Sequence, residues 1–203
     1  VKPGKCHFFQ EQTVYLGLGI SADGISIKDH RKQAILDWPE PNSPSSVLQS
    51  RAKRGRKTRN RDGKTGIRSF LGVVGFFRKF IKDYAKIAAP LTDVLKDEND
   101  FQWGEEQRIA FETLKAAVTS ASVLQIPSPN PDHPIVLLPD ASKVAIGAVM
   151  LQDQGQGLKP CAYISKRLND KQASWGPYEL ELFAVTHMLK QWRPYLLGRE
   201  FVI

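Results

Sequence analysis

Three groups of residues are of a type and spacing that could do chemistry. The first is acidic: Asp140 in "PDAS", and Glu179 and Glu181 in "YELEL". Carboxylate oxygens are the ligands a hard divalent cation such as magnesium takes, and two or more must converge to hold one. On residue type alone, Asp140 reads equally as a strand-end turn or cap residue, and Glu181 as a solvated helix acid. The second group is basic. Arg51, Lys53, Arg54, Arg56, Lys57, Arg59, Arg61 and Lys64 face the single Asp62, a net +7 out of +8 for the whole chain, so the remainder is nearly neutral. Such a run reads as a phosphate-binding arm or as a solvated insertion, and it has no interleaved aromatic residues for base stacking. The third group is "YLGLG" from Tyr15 to Gly19, where glycines would let backbone come close to a ligand or simply form part of a β-meander.

The elements around these residues follow from periodicity. "TVYLGLGI" from Thr13 to Ile20 reads as a strand, "ADG" as a turn, and Ile25 and Ile27 as the next strand of a small meander. Asp29 is placed to cap a helix from about His30 to Trp38, which Pro39 and Pro41 stop. Order resumes near Ile67, where Ile67, Phe70, Leu71, Val74, Phe77, Ile81 and Tyr84 share one helical face; a shorter helix follows from Ile87 to Leu95. A further helix is expected over Glu105–Thr119, with Ile109, Leu114, Ala117 and Val118 inward.

"IPSPNPDHP" then marks the clearest boundary in the chain. Beyond it come strands over Ile135–Leu138, Val144–Leu151 and Cys161–Ser165. A helix follows over Pro177–Trp192, burying Leu182, Val185, Leu189 and Trp192, and a strand begins at Phe201.

Composition narrows the class. The chain of 203 residues is 41% hydrophobic and 25% charged, which suits folded material in one to three small domains. No apolar run approaches the ~20 residues of a membrane helix, and the first residues have no signal-peptide core, so a soluble intracellular protein without a membrane partner is expected. Cys6 and Cys161 lie far apart in apolar surroundings and read as reduced core residues, and the four histidines show no ligand spacing.

The motifs together resemble the Pol polyprotein of Gypsy-type long-terminal-repeat retrotransposons. "KCHFF", "VYLGLGIS", "ILDWPEP", "RSFLGVVGFFRKFIKDYAKIAAPLTDVL" and "FQWGEEQRIAFETLKAAVTSASVL" resemble, in order, its reverse-transcriptase palm end, thumb and connection. "PDASKVAIGAVMLQ", "CAYISKRLN", "YELELFAV" and "WRPYLLGREFVI" resemble its ribonuclease H domain. Two positions depart from the pattern: Leu18 and Pro139 stand where the family usually has histidine and threonine.

The resemblance implies an α+β fold: a palm-end β-meander (1–27), a helical thumb (28–98, with a basic insertion at about 47–66), a connection helix and linker (99–131), and a truncated ribonuclease H-like α/β domain (132–203). It implies RNA-directed DNA synthesis and hydrolysis of RNA in RNA:DNA hybrids by the intact polyprotein. Asp140 and Glu181 would be catalytic magnesium ligands in a two-metal site, with a third carboxylate just after Ile203. Glu179 would be a surface acid. Tyr15, Leu16 and Gly17 would form a primer-grip hairpin, and Arg51, Lys53, Arg54, Arg56 and Lys57 would bind phosphates. The polymerase Y-x-D-D is absent from the chain and would lie upstream, so the isolated fragment is expected to be inactive. Expected partners are an RNA:DNA hybrid, a template-primer duplex and the rest of the polyprotein, either in cytoplasmic virus-like particles or in the nucleus. A non-enzymatic nucleic-acid-binding module, or a defective relic, remains the alternative.

Overall fold

The computed structural model describes residues 9–41, 59–96 and 101–203. The "KCHFF" segment (Lys5 to Phe9) and the basic residues Arg51 to Lys57 fall largely or wholly outside them.

The first strands are β1 (Thr13–Tyr15), β2 (Leu18–Ser21) and β3 (Gly24–Ile27), an antiparallel meander. Thr13 to Ile20 is thus a hairpin and not one strand. The chain reverses at Leu16 (φ 51°) and Gly17 (φ 86°), a two-residue turn whose twist suits paired strands. Leucine rarely adopts positive φ, so its type gave no turn signal. Ile25 and Leu124 exchange two backbone hydrogen bonds of 2.8 Å, which stitch β3 to the chain after the connection helix.

Helix α1 (Asp29–Leu36) starts one residue earlier than expected. Asp29 is its first residue, not its cap, and favours the first turn through its charge.

Helix α2 spans Arg59–Phe76, beginning well before Ile67. Its early contacts are made by bare backbone: Gly63 is buried, and a Cβ there would collide with the Phe101 ring. An apolar-periodicity reading cannot register a contact that uses no apolar side chain. The helical stripe does not continue to Tyr84. It breaks into a 3-10 turn (Arg78–Phe80), then Asp83 in the left-handed region (φ 57°), α3 (Tyr84–Ile87) and α4 (Ala89–Val94).

Helix α5 (Glu105–Thr119) has the expected bounds but turns Ala110, Phe111, Leu114 and Val118 inward, leaving Ile109 exposed. One core joins Ile27, Ile35, Phe70, Val74, Leu91, Phe111, Leu114 and Leu124, so meander, thumb-like helices and α5 pack as a unit.

The second sheet has the order β6-β5-β4-β7, made from β4 (Ile135–Ala141), β5 (Ala145–Asp153), β6 (Leu158–Arg167) and β7 (Phe201–Val202). The first three are antiparallel. Helix α6 (Asp170–Ala173) and then α7 (Pro177–Leu196) cross back, and β7 pairs parallel to β4 at Ile135 and Val136. Helix α7 buries Leu180, Ala184, Met188, Trp192 and Leu196, with Val185 and Leu189 on the flank, whereas Leu182 is exposed. The buried face is therefore rotated from the expected stripe, towards Leu180, Ala184, Met188 and Leu196.

The proline-rich linker is tied down. Buried Gln152 accepts from Ser128 N at 2.8 Å and donates to His133 O at 2.6 Å. This exchange satisfies an amide that would otherwise be costly to bury.

Candidate carboxylate pair and nucleic-acid interface

Asp140 lies next to the last residue of β4, opposite Gly147, which in turn pairs with Ser165. Directly opposite residues share a face of a sheet. Ser165 Oγ accepts from Ala85 N at 2.8 Å, and a Cβ on Gly147 would stand 3.2 Å from Asp83 Oδ1. That face is therefore turned to the corner formed by the 3-10 turn and α3.

Helix α7 covers the other face through Ile135, Leu137, Met188 and Trp192. Asp140 and Glu181 accordingly approach from opposite sides of β4, though at the same end of the sheet, where Leu180 and Ala184 pack with Ile146 and Ala141. Both carboxylates are exposed. β7 pairs β4 at Ile135 and Val136.

Among the described residues, no group of three or more His, Cys, Asp or Glu side chains is placed to hold a metal. As exposed oxygen donors, Asp140 and Glu181 fit part of a magnesium ligand set.

In the first sheet, Tyr15, Leu16 and Gly17 form the hairpin tip, and Tyr15 and Leu16 project into solvent. Leu18, by contrast, packs partly against the core. The position where the family usually has histidine is therefore on the inner side of β2 here.

Sequence reasoning passed over two cations beside this hairpin, Lys28 and Arg31; a lysine placed directly between β3 and α1 was the available signal. It also passed over the joint between sheet and helices. There Arg167 on β6 reaches Asp93 on α4, and Tyr163 packs against the first core.

A helical unit followed by a mixed sheet with a crossover helix is the arrangement of a reverse transcriptase leading into a ribonuclease H-like domain. Residues 103–203 match the family model described as the RNase H-like domain found in reverse transcriptase. The chain belongs to the Pol polyproteins of Gypsy-type retrotransposons, as a reverse transcriptase/ribonuclease H-like segment.

It is 35% identical over 200 residues to the retrovirus-related Pol polyprotein from transposon 297 of Drosophila melanogaster, covering 98% of this chain and 16% of that protein. It is 32% identical over 209 residues to the Pol polyprotein from transposon gypsy of the same organism, covering 98% and 18%. The chain thus spans about a sixth of the length of these curated relatives.

Two solved structures share the fold. The foamy viral protease-reverse transcriptase in complex with dsDNA superposes with a TM-score of 0.69 at 21% identity, covering 93% of this chain and 35% of that one. The same viral protein in complex with an RNA/DNA hybrid gives 0.69 at 20%, covering 96% and 24%. Among the described residues no helix is long and apolar enough to cross a membrane.

Proposed function

We propose that this segment holds the template-primer duplex and the RNA:DNA hybrid for a Pol polyprotein, during RNA-directed DNA synthesis and removal of the RNA strand. The supporting observation is that the exposed hairpin and the sheet domain are bound to the same helical core, one through the Ile25–Leu124 bridge and the other through Arg167 and Asp93. A duplex gripped at the hairpin would keep a fixed register to the carboxylates on the sheet.

In this reading the chain divides into palm end (1–27), thumb (28–98), connection (99–131) and ribonuclease H-like domain (132–203). Asp140 and Glu181 would hold magnesium, and the bound ion would supply activation of the attacking water and stabilisation of the leaving oxygen. The residues' own part is to present two carboxylates at the Asp140 end of β4. Arg51, Lys53, Arg54, Arg56 and Lys57 would add phosphate contacts. The setting is intracellular, in a cytoplasmic particle or the nucleus, and the remaining polyprotein is the partner.

The test uses the parent Pol polypeptide. Asp140→Asn and Glu181→Gln should each abolish magnesium-dependent cleavage of an RNA:DNA hybrid while leaving hybrid binding intact. Wild-type cleavage by either variant would overturn the carboxylate assignment.

A further inference from the structure

The pleat of the meander separates two chemistries. Leu18, Ile25 and Ile27 point into the core, so Gly19 and Ser26, which pair across β2 and β3, point outward. Lys28 follows two residues after Ser26 on the same outer side. A Cβ on Gly19 would stand 2.7 Å from Lys28 Cε and 3.0 Å from Lys28 Nζ, so the lysine lies across bare backbone.

One turn on, Arg31 does the same at the hairpin tip: a Cβ on Gly17 would stand 2.5 Å from Arg31 Nε. The backbone supports this placement, because Lys28 N donates to Gly17 O at 3.2 Å and fixes the start of α1 against the tip. The two glycines therefore seat two cations, where the sequence suggested that they admit a sugar-phosphate chain directly.

Neither cation forms an ion pair with a carboxylate among the described residues. A cavity of about 570 Å³ opens on this outer face, lined by Gln12, Gly19, Ser26 and Lys28 among others. The carboxylate on its lining, Asp23, stands by the Ser21–Gly24 turn, at the opposite end of β2 from Gly17. Charge along β2 thus rises towards the tip.

We propose that Lys28 and Arg31 form a two-cation phosphate clamp for a nucleic-acid strand laid along the outer face of β2. Gly17 and Gly19, the backbone that the two cations lie across, are two residues apart at the tip end of β2. The clamp rests on the duplex-holding reading above and names residues that reading did not contain.

The experiment measures the affinity of the full 203-residue chain for a short RNA:DNA hybrid across a salt series, for the wild type, Arg31→Gln, the Lys28→Gln/Arg31→Gln double variant, and the charge-conserving Lys28→Arg/Arg31→Lys pair. Each phosphate that is no longer neutralised reduces the slope of log affinity against log salt by about 0.9. Arg31→Gln should therefore lose about 0.9 and the double variant about 1.8, while the conserving pair keeps the wild-type slope. Arg31 is exposed on α1, so the single variant reads the clamp even if the double variant folds poorly. Wild-type binding with an unchanged slope in Arg31→Gln and the double variant overturns the clamp and leaves the duplex-holding reading standing. No binding by the wild type overturns both.

Discussion

Arg167 on β6 grips both carboxylate oxygens of Asp93 on α4, at 2.7 and 2.6 Å, joining residues 74 positions apart in sequence. The same guanidinium donates to Ala89 O and to Thr92 Oγ1, and Lys96 holds Asp93 Oδ1 at 2.9 Å. A planar fork saturated by one helix fixes the angle between sheet and helices in a way a lysine could not.

Arg167→Ala should destabilise the chain by ~1–2 kcal/mol, at the modest end because both side chains are partly exposed. Burial pushes the Asp93 carboxyl up, but the hydrogen bonds from Arg167 and Lys96 outweigh it and hold it below its ordinary range. A depressed carboxylate contributes stability that is fully present above its unfolded value and is lost as pH falls through the folded one, here below about pH 4. Denaturant melts from pH 6 downward should show the wild type losing more stability in that window than Arg167→Ala. Parallel curves would contradict the pairing.

Phe70→Ala should cost about 3–5 kcal/mol. Phe70 is fully buried, 4.3 Å from the Phe111 ring centroid and 6.0 Å from that of Trp38, so truncation leaves a cavity at the centre of the first core. Phe76 is 47% exposed, and Phe76→Ala should cost under about 1 kcal/mol. Chemical denaturation of the two variants checks the ranking, and equal losses would contradict this core.

Burial pushes the Cys161 thiol up to about 11, and thiolate is the reactive form. In a Cys6→Ser background, Cys161 should stay unlabelled by a thiol reagent at pH 8 until the chain unfolds. Immediate labelling with the circular dichroism intact would contradict its placement on the inner side of β6.

Much of this was legible in the sequence, and the failures have physical causes. The bounds of α5 and the buried Ile67, Phe70 and Val74 of α2 followed from apolar spacing, because burial in helices leaves a periodic trace, whereas Phe77 and Ile81 are buried past the end of that helix. The early start of α2 did not, since Gly63 packs through backbone. Apolar residues alternate straight through the Leu16-Gly17 turn, so periodicity did not register it; the resemblance to a primer-grip hairpin did.

For the carboxylates, the placement of Asp140 at a strand end and Glu181 early in a helix was legible, whereas their approach from opposite sides of β4 depends on strand register, which no local pattern encodes. The two cations beside the hairpin were overlooked because the charge run from Arg51 to Lys64 dominated the count.

That basic run gives a separate prediction. Replacing Arg51, Lys53, Arg54, Arg56 and Lys57 with glutamine spares helix α2, which begins at Arg59, and should flatten the salt dependence of hybrid binding by about 0.9 for each phosphate these side chains neutralise. An unchanged slope would exclude them from the interface.

The most direct test of the account is the binding of the unmodified 203-residue chain to an RNA:DNA hybrid, titrated against salt. Three or more phosphate contacts predict a slope of log affinity against log salt of about −2.7 or steeper, with little dependence on base sequence. A chain that fails to bind, or binds with a slope shallower than about −1, would contradict the claim that this segment holds a nucleic-acid duplex.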